Sequence, residues 1–184
     1  LLRSLIAKEG GIQSINFEFT EWSKNILSHN YSDKVLKRWI INNSSHVIDL
    51  VFHLAGFPKL GNYKFWHKGC LDWHPSSIFC GAGITERDIP FSYNANWSSA
   101  GRWGIEVLTK KNKYFLKPME KLQKMSVNSV EINNLDIEDK FDIDFKPGIY
   151  SQCQAFLNED KKYLCDIKSQ IKSWDFYCEI GGYS

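Results

Sequence analysis

Residues 89–97 have the sequence IPFSYNANW, and this stretch decides the fold. Apolar side chains at every second position alternate with small or polar ones, which is typical of a β-strand with one buried face. The same alternation runs through residues 12–22, where Ile15, Phe17 and Phe19 share one face and polar side chains occupy the other. These two stretches predict half-buried strands.

The segments around these strands are also predicted to be largely β. Further strands are expected at residues 63–68, 78–84, 103–107, 114–116 and 125–132. Lys110-Lys111-Asn112 joins two of them, which predicts a hairpin. The strands therefore follow one another in succession, without the regular alternation with helices that is typical of a doubly wound fold.

Helical periodicity is grouped towards the two ends of the chain. The expected helices span residues 1–8, 33–40, 42–55, 147–157 and 165–178, and the polar residues 23–32 are expected to form a loop. The predicted fold class is α+β, with an open, largely antiparallel mixed β-sheet and helices on one face. The second face is either solvated or covered by another subunit.

Composition excludes several classes of protein. The chain has 184 residues, of which 43% are apolar and 15% aromatic, so one domain with a substantial core is expected. With 23 basic and 21 acidic residues, the chain lacks the charge excess of a nucleic-acid-binding domain. No apolar run is long enough to span a membrane. The absence of an initial Met predicts that the chain is a piece of a longer protein.

The cysteines indicate a cytoplasmic location. The chain has five, at scattered positions, and an odd number does not suit a disulfide framework. We expect most of them to be small buried side chains in a reducing compartment.

One helix combines a polar face with an aliphatic one. At about 100° per residue, Asn42, His46, Asp49 and His53 fall on the same side of residues 42–55. The opposite side is formed by Val47, Leu50, Val51 and Leu54. The polar face is either simply solvated or functional. In the functional case His46 carries a proton, because imidazole titrates nearest to neutral pH, and Asp49 orients it or a neighbouring group.

A second candidate feature is Gly101-Arg102-Trp103-Gly104 at the start of a strand. The planar guanidinium of Arg102 could hold a hydroxyl-rich or anionic ligand, and Trp97 or Trp103 could stack on a sugar ring. Alternatively, the tryptophans belong to the core or an interface and Arg102 is an exposed charge.

Other chemistries lack their motifs. His67, Cys70 and His74, with Cys80 further on, crowd three possible ligands into one loop, which does not match the spacing of a structural zinc site. There is no G-x-S-x-G nucleophile motif, and residues 81–83 supply only G-x-G where a phosphate-binding loop needs more. No metal site and no cofactor-binding residue is therefore predicted in this chain.

Motifs along nearly the whole chain resemble the C-terminal domain of the glucose–fructose oxidoreductase / inositol dehydrogenase (Gfo/Idh/MocA) family. They are FEFTEW at 17–22, SHVIDL at 45–50 with LAGFP at 54–58, FSYNANW at 91–97 with GRW at 101–103, and KPGIY at 146–150. The resemblance implies a two-domain NAD- or NADP-dependent oxidoreductase acting on a sugar, nucleotide-sugar or cyclitol. Residues 1–184 would form its substrate-binding and oligomerisation domain, and the N-terminal Rossmann domain would lie outside this chain.

The resemblance also implies roles for individual residues. His46 matches the family's catalytic histidine, and Asp49 matches an aspartate with a structural role. The predicted substrate contacts are Asn42, Arg102, Trp22, Ser99 and Trp103. The cofactor, NAD or NADP, belongs to the parent protein, and no cofactor is expected for this chain alone. The other expected partners are a sugar-type substrate and a second copy of the chain on the sheet face, with no nucleic acid and no membrane.

Two departures from the family pattern affect the predicted mechanism. Many members carry an aspartate four residues before the histidine, whereas this chain has Asn42, whose amide cannot take a proton. The family's Glu-Lys-Pro motif has no match, because Lys117-Pro118 follows Leu116 in a different part of the fold. The alternative is a non-catalytic assembly or binding domain that uses its sheet face.

Overall fold

The centre of the molecule is one eight-stranded sheet. The computed structural model describes residues 1–160 and 164–183. The strands are β1 (Ser14–Glu18), β2 (Pro58–Lys68), β3 (Ile78–Thr85), β4 (Pro90–Asn96), β5 (Gly104–Leu108), β6 (Asn112–Leu116), β7 (Leu122–Ser126) and β8 (Asn133–Leu135). Their order is β2-β3-β4-β1-β5-β6-β7-β8. Only β1 and β4 pair in parallel among the described strands, so the predicted largely antiparallel mixed sheet is confirmed.

Two longer helices cover one face of this sheet. The helices are α1 (Leu2–Lys8), α2 (Ser23–Leu27), α3 (Asp33–Leu36), α4 (Ser45–Ala55), α5 (Lys140–Asp144), α6 (Ile149–Leu157) and α7 (Ile167–Gly181), with a π-helical turn at Ile40–Ser44 before α4. α4 packs on β1 and β5, and α7 packs on β2 and β3. Phe52 of α4 meets Phe17 and Phe91, whose rings project from the same face. The predicted α+β class with helices on one face is confirmed. None of the described helices is long and apolar enough to cross a membrane.

The alternation in the sequence corresponds to the two faces of the sheet. Phe91, Tyr93 and Ala95 of β4 are buried beneath the helices. On the opposite face the Ser92 hydroxyl donates to Asn16 Oδ1 over 2.7 Å. These two residues are register partners on the parallel strands β4 and β1. Where β1 and β4 pair, the open face therefore carries polar side chains that bond to one another.

Two of the predicted segments are wrong in detail. Residues 23–32 do not form only a loop, because α2 begins directly after Trp22 and buries Ile26 in the core. Residues 125–132 do not form one strand: β7 ends at Ser126, and β8 starts only at Asn133. Leu122 of β7 is buried, whereas the apolar residues between the two strands are exposed, namely Val127, Val130 and Ile132.

The cysteines do not have the expected burial. All five are free, as expected of a chain without a disulfide framework, but Cys70, Cys80, Cys153 and Cys165 are exposed and Cys178 is only partly buried. For Cys80 the reason is its place on the outward face of β3, where it alternates with the buried Phe79 and Gly81. The cysteines therefore do not contribute to the core as predicted.

Helix α4 starts later than its sequence pattern predicts. Asn42 lies in the π-helical turn, and regular α-helix begins at Ser45. The helix ends at Gly56, whose φ of 90° is readily adopted only by glycine. Of the predicted aliphatic stripe, Val47 and Val51 are fully buried. The packed face also includes Ile48, Phe52 and Ala55.

Candidate functional site

Four side chains of the predicted site form a row of contacts. The His46 ring, exposed at the start of α4, lies 6.2 Å from the Trp103 ring between centroids. The guanidinium carbon of Arg102 lies 4.5 Å from the centroid of Trp103 and 5.0 Å from that of Trp22. Cation–π attraction to two indole rings restricts the orientation of the guanidinium. The fold thus brings together His46, Trp103, Arg102 and Trp22 from three separate parts of the sequence.

The buried carboxylate of Glu21 is hydrogen-bonded to Arg102 of this row and to two residues of the turn before α4. Glu21 is 2% exposed, and both of its oxygens accept hydrogen bonds. Ser44 Oγ and Asn43 Nδ2 donate to Oε1 over 2.8 and 3.1 Å, and Arg102 Nη1 donates to Oε2 over 3.3 Å. Through these bonds Glu21 links the end of β1 to the π-helical turn before α4 and to the loop before β5.

The charge state of Glu21 is set by opposing effects. Burial raises its pKa above the usual value because desolvation disfavours the carboxylate. The hydrogen bonds from Ser44 and Asn43 and the positive charge of Arg102 act in the other direction. In the ionised form Glu21 neutralises Arg102, so the pair has no net charge.

A cleft of about 220 Å³ opens beside the Glu21–Arg102 pair. Its lining residues are Glu21, Trp22, Asn25, Ile26, His29, Tyr31, Trp39, Asn43 and Arg102. The Trp22 indole N–H donates to the Gly101 carbonyl over 2.7 Å, which holds one wall in place. On another wall the Tyr31 ring packs edge-on against Trp39 at 5.1 Å. The rings of Trp22, Tyr31 and Trp39 therefore form part of the walls of this aromatic cleft, and Arg102 supplies N–H donors.

A larger cavity, of about 600 Å³, lies between α4 and α7. Several of the polar groups in or next to this cavity are already engaged within the chain. The Tyr177 hydroxyl donates to Asp49, Lys172 pairs with Glu86 at 2.6 Å, and Arg87 donates to a carbonyl at the end of α4. We therefore regard the smaller aromatic cleft as the better candidate for a ligand site.

The side chains of the remaining predicted residues make no hydrogen bond or ring contact with the row among the described residues. Asn42 and Ser99 are both exposed, and within the described part of the chain neither side chain bonds to the row. Asp49 accepts a hydrogen bond from Tyr177 and thereby joins α4 to α7. His53 lies on the solvent side of α4, where partial desolvation of its ring lowers its pKa and the charges of Arg3 and Arg87 act in the same direction.

Comparison with solved structures identifies the fold. A candidate oxidoreductase from Thermotoga maritima matches 98% of this chain with a TM-score of 0.65 and 10% identity, over 56% of its own length. Levoglucosan dehydrogenase in complex with NADH matches 76% of the chain with a TM-score of 0.56 and 12% identity, over 44% of its length. An NAD-binding oxidoreductase from Klebsiella pneumoniae matches 72% with a TM-score of 0.56 and 14% identity, over 42% of its length.

The chain has the fold of the C-terminal domain of Gfo/Idh/MocA oxidoreductases. The resemblance predicted from the sequence is thereby confirmed at the level of the fold. The chain spans only about half the length of each of these three proteins. No protein-family model matches the sequence, and no curated protein sequence matches it either.

The described residues do not form a dinucleotide-binding cradle. Such a cradle needs parallel strands joined by a helix, with a glycine-rich turn at the helix N-terminus. Here Gly81 and Gly83 lie inside β3 instead. A Cβ on Gly81 would lie 2.5 Å from the Tyr93 ring, so this glycine is required for packing.

The loop with histidine and cysteine residues has a structural role. His74 is buried, its Nδ1 donates to the Ser76 carbonyl over 2.6 Å, and its Nε2 accepts from the Tyr183 hydroxyl over 2.7 Å. Both ring nitrogens are thus engaged within the protein. The described residues contain no group of three or more potential ligands arranged to hold a metal ion.

Glu21 is not among the site residues predicted from the sequence. A signal was present, because the alternation that places Ile15, Phe17 and Phe19 on the buried face places Glu21 on it as well. A carboxylate on the buried face of a strand needs partners, and Ser44, Asn43 and Arg102 supply them.

Proposed function

We propose that this chain is the substrate-binding domain of an NAD- or NADP-dependent oxidoreductase acting on a sugar, nucleotide-sugar or cyclitol. The observation that best supports this is the row in which the exposed His46 imidazole meets Trp103 beside the Arg102 guanidinium. Imidazole can carry a proton, indole can pack on a sugar ring, and guanidinium can donate to hydroxyl oxygens. The shared fold with an NADH-binding levoglucosan dehydrogenase also supports it.

Each residue has a distinct role in the proposed reaction. A ring nitrogen of His46 takes the proton from a secondary hydroxyl as the carbon is oxidised, and returns it in the reverse direction. Arg102 and Asn42 donate to neighbouring hydroxyl oxygens, and Trp22, Ser99 and Trp103 complete the substrate contacts. The nicotinamide, held outside this chain, would supply the hydride acceptor. Because the Asn42 amide is not a base, His46 alone among these residues carries the proton.

The proposal includes a second domain. Residues 1–184 would be the C-terminal half of a longer enzyme whose N-terminal Rossmann domain binds the dinucleotide. The share of the three matched oxidoreductases that the chain spans, about half in each case, supports this division.

The test compares this chain with its parent enzyme. The parent should reduce NAD or NADP when supplied with a panel of neutral sugars, nucleotide-sugars and cyclitols, followed by absorbance of the reduced nicotinamide. The 184-residue chain alone should give no turnover and no tight binding of either dinucleotide in a calorimetric titration. Tight dinucleotide binding by the chain alone would contradict the assignment, as would a parent that oxidises none of the panel.

The open sheet face supports a second candidate function, that of an assembly domain. Trp66 of β2 is 49% exposed on this face, beside the exposed Cys80 and close to the exposed Ala82 of β3. A second copy of the chain could cover this face and form a homo-oligomer. Such an interface could coexist with enzymatic activity. If His46 has no catalytic role, assembly would be the only function of the chain.

A substitution on the open face separates these cases. Ala82→Arg should lower the molar mass measured by sedimentation if the face is an interface, because an unpaired charge would be buried. Ala7→Arg on the exposed surface of α1 is the matched control. An unchanged molar mass in Ala82→Arg would exclude this face as the contact.

A further inference from the structure

We propose that the aromatic cleft beside Arg102 is a second subsite, which takes another ring of a neutral glycoside. This inference rests on the proposed function only in placing the reacting ring at His46. It narrows the substrate class from single sugars to neutral glycosides of at least two rings.

The cleft is separated from the candidate proton carrier, His46, by Trp103 and Arg102. The row runs from His46 to Trp103 over 6.2 Å and from Trp103 to Arg102 over another 4.5 Å. Neither His46 nor Trp103 is among the described residues that line the cleft. A single sugar ring at His46 that contacts Arg102 and Trp22 would leave the walls formed by Tyr31 and Trp39 without a ligand, whereas a ligand with a second ring could reach them.

The walls of the cleft combine aromatic rings with an accessible donor. Trp22 is half exposed, and its ring is held by the hydrogen bond to Gly101 and by Arg102. Trp39 is 4% exposed and forms part of a further wall. Flat apolar surfaces next to the N–H groups of Arg102, which is 41% exposed, suit a sugar, which has apolar C–H faces and a rim of hydroxyl oxygens.

The positive charge of Arg102 beside the cleft is compensated by Glu21. Arg102 would attract an anion if its charge were not compensated, but Glu21 lies 3.3 Å from it and is almost completely buried. Both oxygens of Glu21 are already bonded, so the carboxylate is fixed in place. The guanidinium has five N–H donors, and the bond to Glu21 uses one of them. The cleft therefore offers donors without a net charge, which favours neutral hydroxyl groups over phosphate or carboxylate.

Binding experiments on the chain itself test this inference without a dinucleotide. D-glucose, cellobiose, maltose and D-glucuronate are titrated separately into the protein, and binding is followed by calorimetry and tryptophan fluorescence. We expect at least one disaccharide to bind about tenfold more tightly than glucose, because one additional aromatic contact is sufficient for such a factor. Glucuronate should bind no more tightly than glucose.

Substitutions of single tryptophans then show which residue provides the additional affinity for a disaccharide over glucose. Trp22→Ala should remove the preference for the disaccharide, because it should weaken disaccharide binding more than glucose binding, and Trp22→Phe should restore part of that preference. Trp66→Ala is the matched control, because Trp66 is 49% and Trp22 is 50% exposed, and Trp66 lies on the open sheet face. It should retain the full preference.

Several outcomes would overturn the inference. They are equal affinity for glucose and both disaccharides, no detectable binding of any probe at its highest soluble concentration, glucuronate binding tenfold more tightly than glucose, and the same loss in Trp66→Ala as in Trp22→Ala. Because binding alone is measured, these results are independent of whether the parent enzyme turns over a sugar. A failed inference is thus distinguishable from a failed functional proposal.

Discussion

The Glu21 carboxylate and the Arg102 guanidinium form an ion pair across the candidate site, with Oε2 and Nη1 separated by 3.3 Å. The two partners differ in environment, because the side chain of Glu21 is 2% exposed and that of Arg102 is 41% exposed. The carboxylate therefore depends on its neighbours far more than the guanidinium does. Removal of Arg102 leaves a buried negative charge, and this asymmetry leads to the first prediction.

Arg102→Ala should lower the free energy of unfolding at neutral pH by about 1–2 kcal/mol, a value reduced to allow for the exposure of Arg102. Urea denaturation measures this loss. The loss should shrink as the pH falls, because burial already raises the pKa of Glu21 and protonation removes the unpaired charge. Lys117→Ala is the control, since its pair with Glu18 is at the surface, and it should cost less than Arg102→Ala. An equal or smaller loss in Arg102→Ala would contradict this assignment.

Tyr177→Phe should test whether Asp49 is structural. The Tyr177 hydroxyl is buried and donates to Asp49, so its removal should cost about 1–2 kcal/mol in urea denaturation. Asp49→Ala, which removes the acceptor, should cost a similar amount and leave turnover of the parent enzyme largely unchanged. If Asp49→Ala abolished turnover without loss of stability, Asp49 would have a catalytic role and the structural assignment would be wrong.

His74 should make the stability of the fold depend on pH. Burial lowers the pKa of His74 to about 4, whereas an unfolded histidine titrates near 6.5. Below about pH 6.5 the unfolded chain takes up a proton that the folded chain does not, so stability falls as the pH falls towards 4. The full contribution is about 3 kcal/mol.

Urea denaturation across this pH range measures the effect. The stability of His74→Phe should depend less steeply on pH than that of the wild type, even though the substitution itself is destabilising at neutral pH. His29→Gln, at an exposed histidine, should keep the wild-type slope. If His74→Phe had the wild-type slope, His74 would not be the residue responsible.

Gly81→Ala should test the role of the Gly81-Ala82-Gly83 sequence. A Cβ at position 81 would lie 2.5 Å from the Tyr93 ring and 2.8 Å from the Phe65 ring, so the core would have to shift. We expect a loss of about 1–3 kcal/mol in thermal or urea unfolding. Ala82→Ser, on the exposed side of the same strand, should change stability by less than about 0.5 kcal/mol. Unchanged stability in Gly81→Ala would show that the glycine is not needed for packing.

The predictable parts of the fold are those in which buried side chains recur at a regular spacing along the sequence. The alternation in β1 and β4 identified both strands and the side chains beneath the helices, because a half-buried strand exposes every second residue. The helix α2 was missed because its five residues bury only Ile26, and one apolar contact gives no periodicity. The exposure of Cys80 could not be predicted from its residue type, because it depends on the register of β3.

The candidate site was predictable only in part. His46, Arg102, Trp22 and Trp103 were proposed from residue type and resemblance, and the fold places them in one row. Their contacts join positions almost 80 residues apart, as in the hydrogen bond from Trp22 to Gly101, and no local pattern encodes that proximity. The role of Glu21 depends on the same long-range contacts.

The central claim is that His46 carries the proton in a hydride-transfer reaction. The most direct measurement is steady-state turnover of the parent enzyme with His46→Gln, compared with His53→Gln, which alters a second exposed histidine on the same helix. Loss of general acid–base catalysis predicts a fall in kcat of about 10²-fold or more for His46→Gln, with an unchanged oligomer and His53→Gln close to the wild type. Equal turnover in wild type and His46→Gln would contradict the account.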